Sequence, residues 1–151
     1  MTLLDLDRDR LVVAADITGA EALPQAATPA EAVRAATGGA GYDVVFDATG
    51  NGKSIEAGFA YVAHGGRYVL VSVVKDDITF ADPEFHKREA TLFASRNATS
   101  VDFETVMAAM RAGAVPMDRI VTHHTDMAGA VTDLPRWAHD KTGLIKALIA
   151  I

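Results

Sequence analysis

The 151-residue sequence contains no cysteine, which excludes a disulfide framework and any metal site built on thiolates of this chain. It has no apolar run of membrane-spanning length. Its start, Met1-Thr-Leu-Leu, meets Asp5 and Asp7 where a secretion signal would continue its apolar core. No stretch gathers lysine and arginine into a phosphate-binding stripe: 14 basic residues face 20 acidic ones, for a net charge of −6. Neither nucleic acid nor a membrane is therefore an expected partner, and the cytoplasm is the default compartment. The sequence also holds no G-x-G-x-x-G loop of the kind that cradles dinucleotide phosphates. Without a secretion signal, the glycosylation pattern at Asn97-Ala98-Thr99 reads as chance.

What is present has the balance of one globular domain, half hydrophobic and 23% charged. Short apolar runs alternate with helical patterns. Thr2 to Leu6 reads as a strand, Leu11 to Ala15 as part of a helix, and Ala22-Leu23 as a second short strand. Thr28-Pro29-Ala30-Glu31 has the order of a capping box, with proline at the first helical position, and Gly38 to Gly41 closes that helix. Tyr42 to Ala48 is expected as a buried, valine-rich strand. A helix is expected over Ser54 to Ala63, stopped by Gly65-Gly66, followed by a strand from Arg67 to Val74 and another from Thr91 to Ala94. Phe103, Val106, Met107 and Met110 have helical spacing and are expected to bury one face of a helix that ends at Gly113. Ile120 to His123 reads as extended. Met127, Ala130, Val131 and Leu134 then repeat the helical spacing behind an Asp126 cap, and Pro135 is expected to kink or end that helix. Leu144 to Ile151 closes the chain as a strand. Strands separated by helices of this length predict an α/β fold with a mainly parallel sheet covered on both faces. Ligands of such sheets bind at the carboxyl ends of the strands.

Two candidate motifs fall away on chemistry. Gly50-Asn51-Gly52-Lys53-Ser54 resembles the end of a phosphate loop, but the position that loop gives to its first glycine is Asp47, whose carboxylate would repel phosphate. His123 and His124 are adjacent on an expected strand and point to opposite faces, so one metal ion cannot readily take both. Asp5 carries more. A carboxylate at a strand tip accepts hydrogen bonds from both ribose hydroxyls of an adenosine and repels a 2′-phosphate, which favours NAD over NADP. Asp5 or Asp7 as a plain cap for the helix near Arg8 is the competing reading. Arg10, one turn on, stands either at the adenine edge or as a solvated helix residue.

With these residues placed, the chain resembles the zinc-type medium-chain dehydrogenase/reductase family over essentially its whole length, from the second strand of the cofactor domain onward. Asp5-Leu-Asp-Arg-Asp-Arg10-Leu is similar to the family's strand-end acid and adenine-side residue. Tyr42 to Gly50 resembles its fourth strand and Gly65 to Val73 its fifth. Ser95-Arg96-Asn97-Ala98-Thr99 with Asp102-Phe103, Ile120 to His123 and Thr142 to Ala147 resemble the branch that acts on polyols and sugar acids.

The resemblance implies an incomplete Rossmann-like doubly wound sheet, without its first strand, glycine loop and first helix. Residues 1–125 would form a partial NAD-binding domain, and 126–151 a helix and strand that return to the catalytic domain. It further implies cofactor contacts at Asp5, Arg10, Thr49, Gly50, Val71, Ser72, Val73, Ser95, Arg96, Asn97 and Lys146. Zinc, in the family, binds the alcohol oxygen and lowers its pKa before hydride passes to nicotinamide; no zinc ligand or catalytic residue is expected in this chain, which is expected to be inactive alone. NAD binding is expected to be weak or absent. The inner edges left by the missing strand, and the segment Asp77 to Pro83 that extends the family's sheet across a dimer, lead to an expected homo-oligomer. Two alternatives stay open: an S-adenosylmethionine-dependent methyltransferase-like domain, suggested by the strand at Tyr42 to Asp47 and by Gly65 to Tyr68, and a non-catalytic remnant of a cofactor domain.

Overall fold

A computed structural model describes residues 1–23 and 28–151. The chain opens with β1 (Thr2–Leu3), α1 (Arg8–Thr18) and β2 (Glu21–Ala22). It continues through α2 (Pro29–Ala36), β3 (Tyr42–Asp47), α3 (Gly52–Gly58), β4 (Val62–Leu70), α4 (Asp82–Lys87) and β5 (Thr91–Ala94). The last elements are α5 (Ser100–Arg111), α6 (Met117–Ile120), β6 (Val121–Asp126), α7 (Ala130–His139) and β7 (Lys146–Ala150). They group into two compact units, residues 23–97 and residues 1–22 with 98–151.

Every strand pairing is parallel, as the alternation of strands and helices predicts. In unit 23–97 the order is β3-β4-β5, with Phe46 opposite Val69 and Val69 opposite Phe93. In the other unit β1 pairs with β2 and β6 with β7. The core of unit 23–97 is built on Ile55, Val62 and Tyr68, flanked by Val45, Phe59 and Leu70. A second cluster joins Leu23, Ala32 and Val33 to Tyr42 and Tyr61. In the other unit Leu11, Ala15, Val121, Ala130 and Trp137 are buried. No helix among the described residues is long and apolar enough to cross a membrane.

Local chemistry sets the start of α2 as expected. Thr28 closes a complete capping box with Glu31, and Pro29 occupies the first turn of α2. At α7 the cap position falls to Gly129, not to the expected Asp126, which ends β6 and accepts from the Gly129 N–H at 2.7 Å.

Four expectations need correction. The helix after Asn51 ends at Gly58, passes through a 3₁₀ turn at Phe59–Tyr61, and β4 already starts at Val62. Gly65-Gly66 therefore lies inside a strand. Pairing shifts register between Tyr42 and Val44, and a Cβ on Gly66 would stand 2.7 Å from Val62 Cγ1, so glycine lets the bulged backbone close on itself. Second, β3 is not buried on both faces. Val45 packs on the core, but Val44 is 42% and Phe46 68% exposed.

Third, α5 forms where the spacing places it, yet Phe103 (62%), Val106, Met107 and Met110 remain exposed. The periodicity specifies an apolar face, not what covers it. Fourth, α7 runs through Pro135 to His139. Proline removes its own N–H bond and crowds the carbonyl one turn back, and burial of Trp137 beyond it offsets that cost and holds the last turn.

Candidate functional site

In unit 23–97 the carboxyl ends of three parallel strands open on one edge. Asp47 ends β3, and its carbonyl accepts from the Val71 N–H at 2.8 Å just beyond β4. The Ser95 N–H donates to the Leu70 carbonyl at 2.9 Å just beyond β5. These two bonds bring Thr49–Gly50, Val71–Val73 and Ser95–Asn97 out of the sheet at the same edge. Val71 and Val73 present exposed apolar side chains, and Arg96 is exposed. Asn97 has φ 63°, a left-handed turn that asparagine tolerates.

The Asp47 side chain is the organising group of this edge. It is 6% exposed. Its Oδ1 accepts from the Thr49 N–H at 2.9 Å and the Thr49 hydroxyl at 2.8 Å, and its Oδ2 accepts from the Ser54 hydroxyl at 2.9 Å. The Ser72 hydroxyl donates to Oδ1 at 3.5 Å and accepts from the Gly50 N–H at 2.9 Å. Gly50 sits at φ 66°, where the absence of a side chain removes the steric cost. Asn51 then caps α3 by accepting from the Ser54 N–H at 3.2 Å. Burial first, and the Asp47 charge second, push the Tyr61 and Tyr68 phenols upward.

In the other unit, Asp5 lies between β1 and α1. Asp7, not Asp5, is the helix cap: its carboxylate accepts from the Arg10 N–H at 3.0 Å. That bond is the chief reason its carboxyl lies below the usual range. Asp5 accepts from the Asp7 N–H at 2.9 Å and faces Arg10 Nε at 3.5 Å. Arg10 donates through Nη2 to Asp7 at 3.1 Å, while its Nε is shielded from solvent and has no hydrogen-bond partner. A cleft of about 400 Å³ lies alongside, lined by Asp7, Arg10, Val13, His139, Thr142 and Gly143 among others. Its size is that of a small-molecule site. The Thr142 hydroxyl, then its N–H, holds the Asp140 carboxyl below its ordinary value. Lys146 begins β7 directly after the lining residue Ile145 and is exposed.

The eleven residues read from the sequence thus fall in two sets. Thr49, Gly50, Val71, Ser72, Val73, Ser95, Arg96 and Asn97 share the strand-end edge of one unit. Asp5, Arg10 and Lys146 lie in the other, where Asp5 and Arg10 face each other. The sequence places Asp47 at the carboxyl end of its strand, among the positions where ligands bind, but assigns it no partner there, and it passes over Ser54. An Asp-x-Thr at the end of an apolar strand is the signal, because such an aspartate can bond the N–H two residues on. It also passed over the cleft-lining loop from His139 to Lys141.

The donor set does not fit a zinc ion. There is no cysteine, and no three His, Asp or Glu side chains among the described residues come together to hold a metal. His123 stacks edge-on against Trp137, with ring centroids 5.3 Å apart.

Parallel strands joined by helices, with their carboxyl ends gathered at one edge, define a Rossmann-like class of α/β fold. The zinc-binding dehydrogenase family profile matches residues 2–112, and the chain belongs to that family. It is 38% identical over 117 residues, 78% of its length, to the L-galactonate-5-dehydrogenase of Escherichia coli K12. It spans 34% of that relative, about a third of its length. Among solved structures it is similar to the L-idonate 5-dehydrogenase of Escherichia coli K-12, with TM-score 0.81 and 22% identity over 99% of this chain and 42% of that one. It is also similar to a short chain alcohol dehydrogenase of Escherichia coli CFT073 solved with NADH, with TM-score 0.86 and 19% identity over 99% of this chain and 44% of that one.

Proposed function

We propose that this chain is the C-terminal, cofactor-side portion of an NAD-dependent zinc-type dehydrogenase acting on a polyol or sugar acid. The observation that carries the reading is the 38% identity to a sugar-acid dehydrogenase across 78% of the chain. The strand-end edge supports it. Thr49, Gly50, Val71, Ser72, Val73, Ser95, Arg96 and Asn97 line the place where parallel sheets take their ligands. Asp5 would accept from the adenosine ribose, Arg10 would lie at the adenine, and Lys146 would meet the pyrophosphate. The cleft lined by Asp7, Arg10, Thr142 and Gly143 lies beside this Asp5–Arg10 pair and supports a polar ligand at that end. Residues 1–125 would make up the cofactor domain and 126–151 the return toward a catalytic domain.

Within this reading the chain's own residues bind and orient. NAD, when bound, supplies the hydride acceptor. The exposed apolar Val71 and Val73 would lie against the nicotinamide, and Asp5 would select NAD by charge. No residue in the described set replaces the Lewis acid of the family chemistry. The chain by itself is therefore expected to turn over no polyol; the cytoplasm is its proposed compartment, and the segment Asp77 to Pro83 supports a homo-oligomer. Family membership removes the methyltransferase alternative; a non-catalytic remnant of a cofactor domain is the second reading.

Titration of the purified chain with NAD tests the reading. Without a glycine loop and helix N-terminus to hold the pyrophosphate, affinity no tighter than roughly millimolar is expected, about 4 kcal/mol. Asp5→Asn should weaken NAD while leaving NADP unchanged or improved. Preference for S-adenosylmethionine, or a dehydrogenase turnover by the zinc-supplemented chain alone, would overturn it. Sedimentation as a stable monomer would remove the oligomer.

A further inference from the structure

We infer that Asp47 and Ser72 act as positioning residues that lock the Gly50 turn and the Val71–Val73 segment into one rigid ligand-facing edge. The inference rests on the cofactor reading above and assigns a role to Asp47, which contacts no ligand in that reading. The argument begins with direction. A carboxylate only accepts, so the Thr49, Ser54 and Ser72 hydroxyls around Asp47 all turn their protons inward. The Ser72 oxygen is then left with its lone pairs outward, and the Gly50 N–H donates to it at 2.9 Å. The result is a one-way relay, Gly50 N–H to Ser72 and, through a long 3.5 Å link, Ser72 to Asp47, which ties the loop after β3 to the loop after β4.

The same aspartate joins the strands a second time through its backbone, whose carbonyl accepts from Val71 and, more weakly at 3.4 Å, from Ser72. A merely mechanical tether would not require charge. No arginine, lysine or histidine among the described residues pairs with Asp47, and burying an unpaired carboxylate is costly unless hydrogen bonds replace its water. The hydroxyls and the Thr49 N–H do so here. What the charge adds is a fixed polarity: an asparagine would offer an N–H₂ that lets Ser54 or Ser72 reverse, and the Gly50 bond would lose its unique orientation. The edge so fixed carries five of the residues proposed to meet the cofactor, namely Thr49, Gly50, Val71, Ser72 and Val73.

The test uses the whole 151-residue chain and two independent readouts. Amide hydrogen exchange by NMR reports the relay directly. In Ser72→Ala the Gly50 amide should exchange roughly 2–10-fold faster, the worth of one hydrogen bond, and Ser72→Thr, which keeps the hydroxyl, should restore it. Asp47→Asn should show an intermediate loss at Gly50 and at Val71, and serves if Asp47→Ala fails to fold. NAD titration, followed at the Val71 and Val73 amides, should weaken by a similar factor in Ser72→Ala and recover in Ser72→Thr. Unchanged Gly50 exchange in a folded Ser72→Ala chain overturns the relay. Accelerated exchange with unaltered NAD affinity overturns the positioning role. If the unsubstituted chain shows no NAD response, the positioning role toward this cofactor falls, the cofactor reading stands on family membership alone, and the exchange arm still decides the relay.

Discussion

The hydroxyl of Tyr68 lies in the space that a side chain on Gly58 would occupy: a Cβ there would stand 2.1 Å from the Tyr68 oxygen. Tyr68 is fully buried and donates to the Ile55 carbonyl at 2.9 Å, so β4 is locked onto α3 by a phenol that needs a glycine opposite. In an exposed helix glycine-to-alanine gains up to about 1 kcal/mol. At Gly58 the sign should reverse, with Gly58→Ala costing about 1–3 kcal/mol through overpacking. Urea unfolding of the two chains measures it, and a more stable Gly58→Ala protein would contradict the packing described.

The same phenol gives an alkaline dependence. Burial, then the Asp47 charge, push Tyr68 upward from its ordinary 10.0, and burial pushes Tyr61 the same way. The folded chain therefore keeps these protons after the unfolded chain has released them. Stability should be undiminished below about pH 10 and fall as pH rises beyond it. Tyr68→Phe should lower stability by about 0.5–1.5 kcal/mol at neutral pH through loss of its hydrogen bond, and should flatten the alkaline decline without abolishing it, since Tyr61 remains. Urea midpoints from pH 8 to 11 decide the point.

At α5 the Thr99 hydroxyl accepts from the Asp102 N–H, and the Asp102 carboxylate accepts from the Thr99 N–H at 2.8 Å and hydroxyl at 2.7 Å. These bonds, the backbone one first, lower the Asp102 carboxyl from its ordinary 3.8. Thr99→Ala should cost about 1 kcal/mol and fray the first turn. A lowered carboxyl pKa stabilises above the unfolded value and is lost as pH falls through the folded one. The α5 amides near Phe103 should therefore lose exchange protection below about pH 3.8 in the unsubstituted chain. In Thr99→Ala this acid step should be smaller.

Pro135 is exposed in the middle of α7 and offers no N–H to the carbonyl of Val131. Pro135→Ala restores that bond. The gain is offset in part by a more flexible unfolded chain, leaving a net increase of about 1–2 kcal/mol. A thermal midpoint that falls instead would show that the ring itself holds the helix in place.

The sequence by itself determined the family, the parallel alternation of strands and helices, and the start of the helix that Thr28 and Glu31 cap. These are short-range properties. Thr28 and Glu31 lie three residues apart, and a valine-rich run at Tyr42 to Asp47 needs no distant partner to read as a strand. It also marked Thr49, Gly50, Val71 and Ser72 as one edge, because they follow strands of a parallel sheet.

Tertiary structure decided what lies across the chain from each residue. Gly65-Gly66 reads locally as a helix stop, and only the pairing of Val62 with Tyr42 makes it the interior of a strand. The apolar spacing of Phe103 to Met110 defines a face but carries no information about whether anything covers it. Asp47 shows the limit most clearly. Its bonds to Thr49 are local, but its bond to Ser72 spans 25 residues, and Asp5 against Asp7 as the cap of α1 turned on which carboxylate met the Arg10 N–H. Periodicity records the environment a side chain prefers; the identity of its partner exists only once separate strands are brought to the same edge.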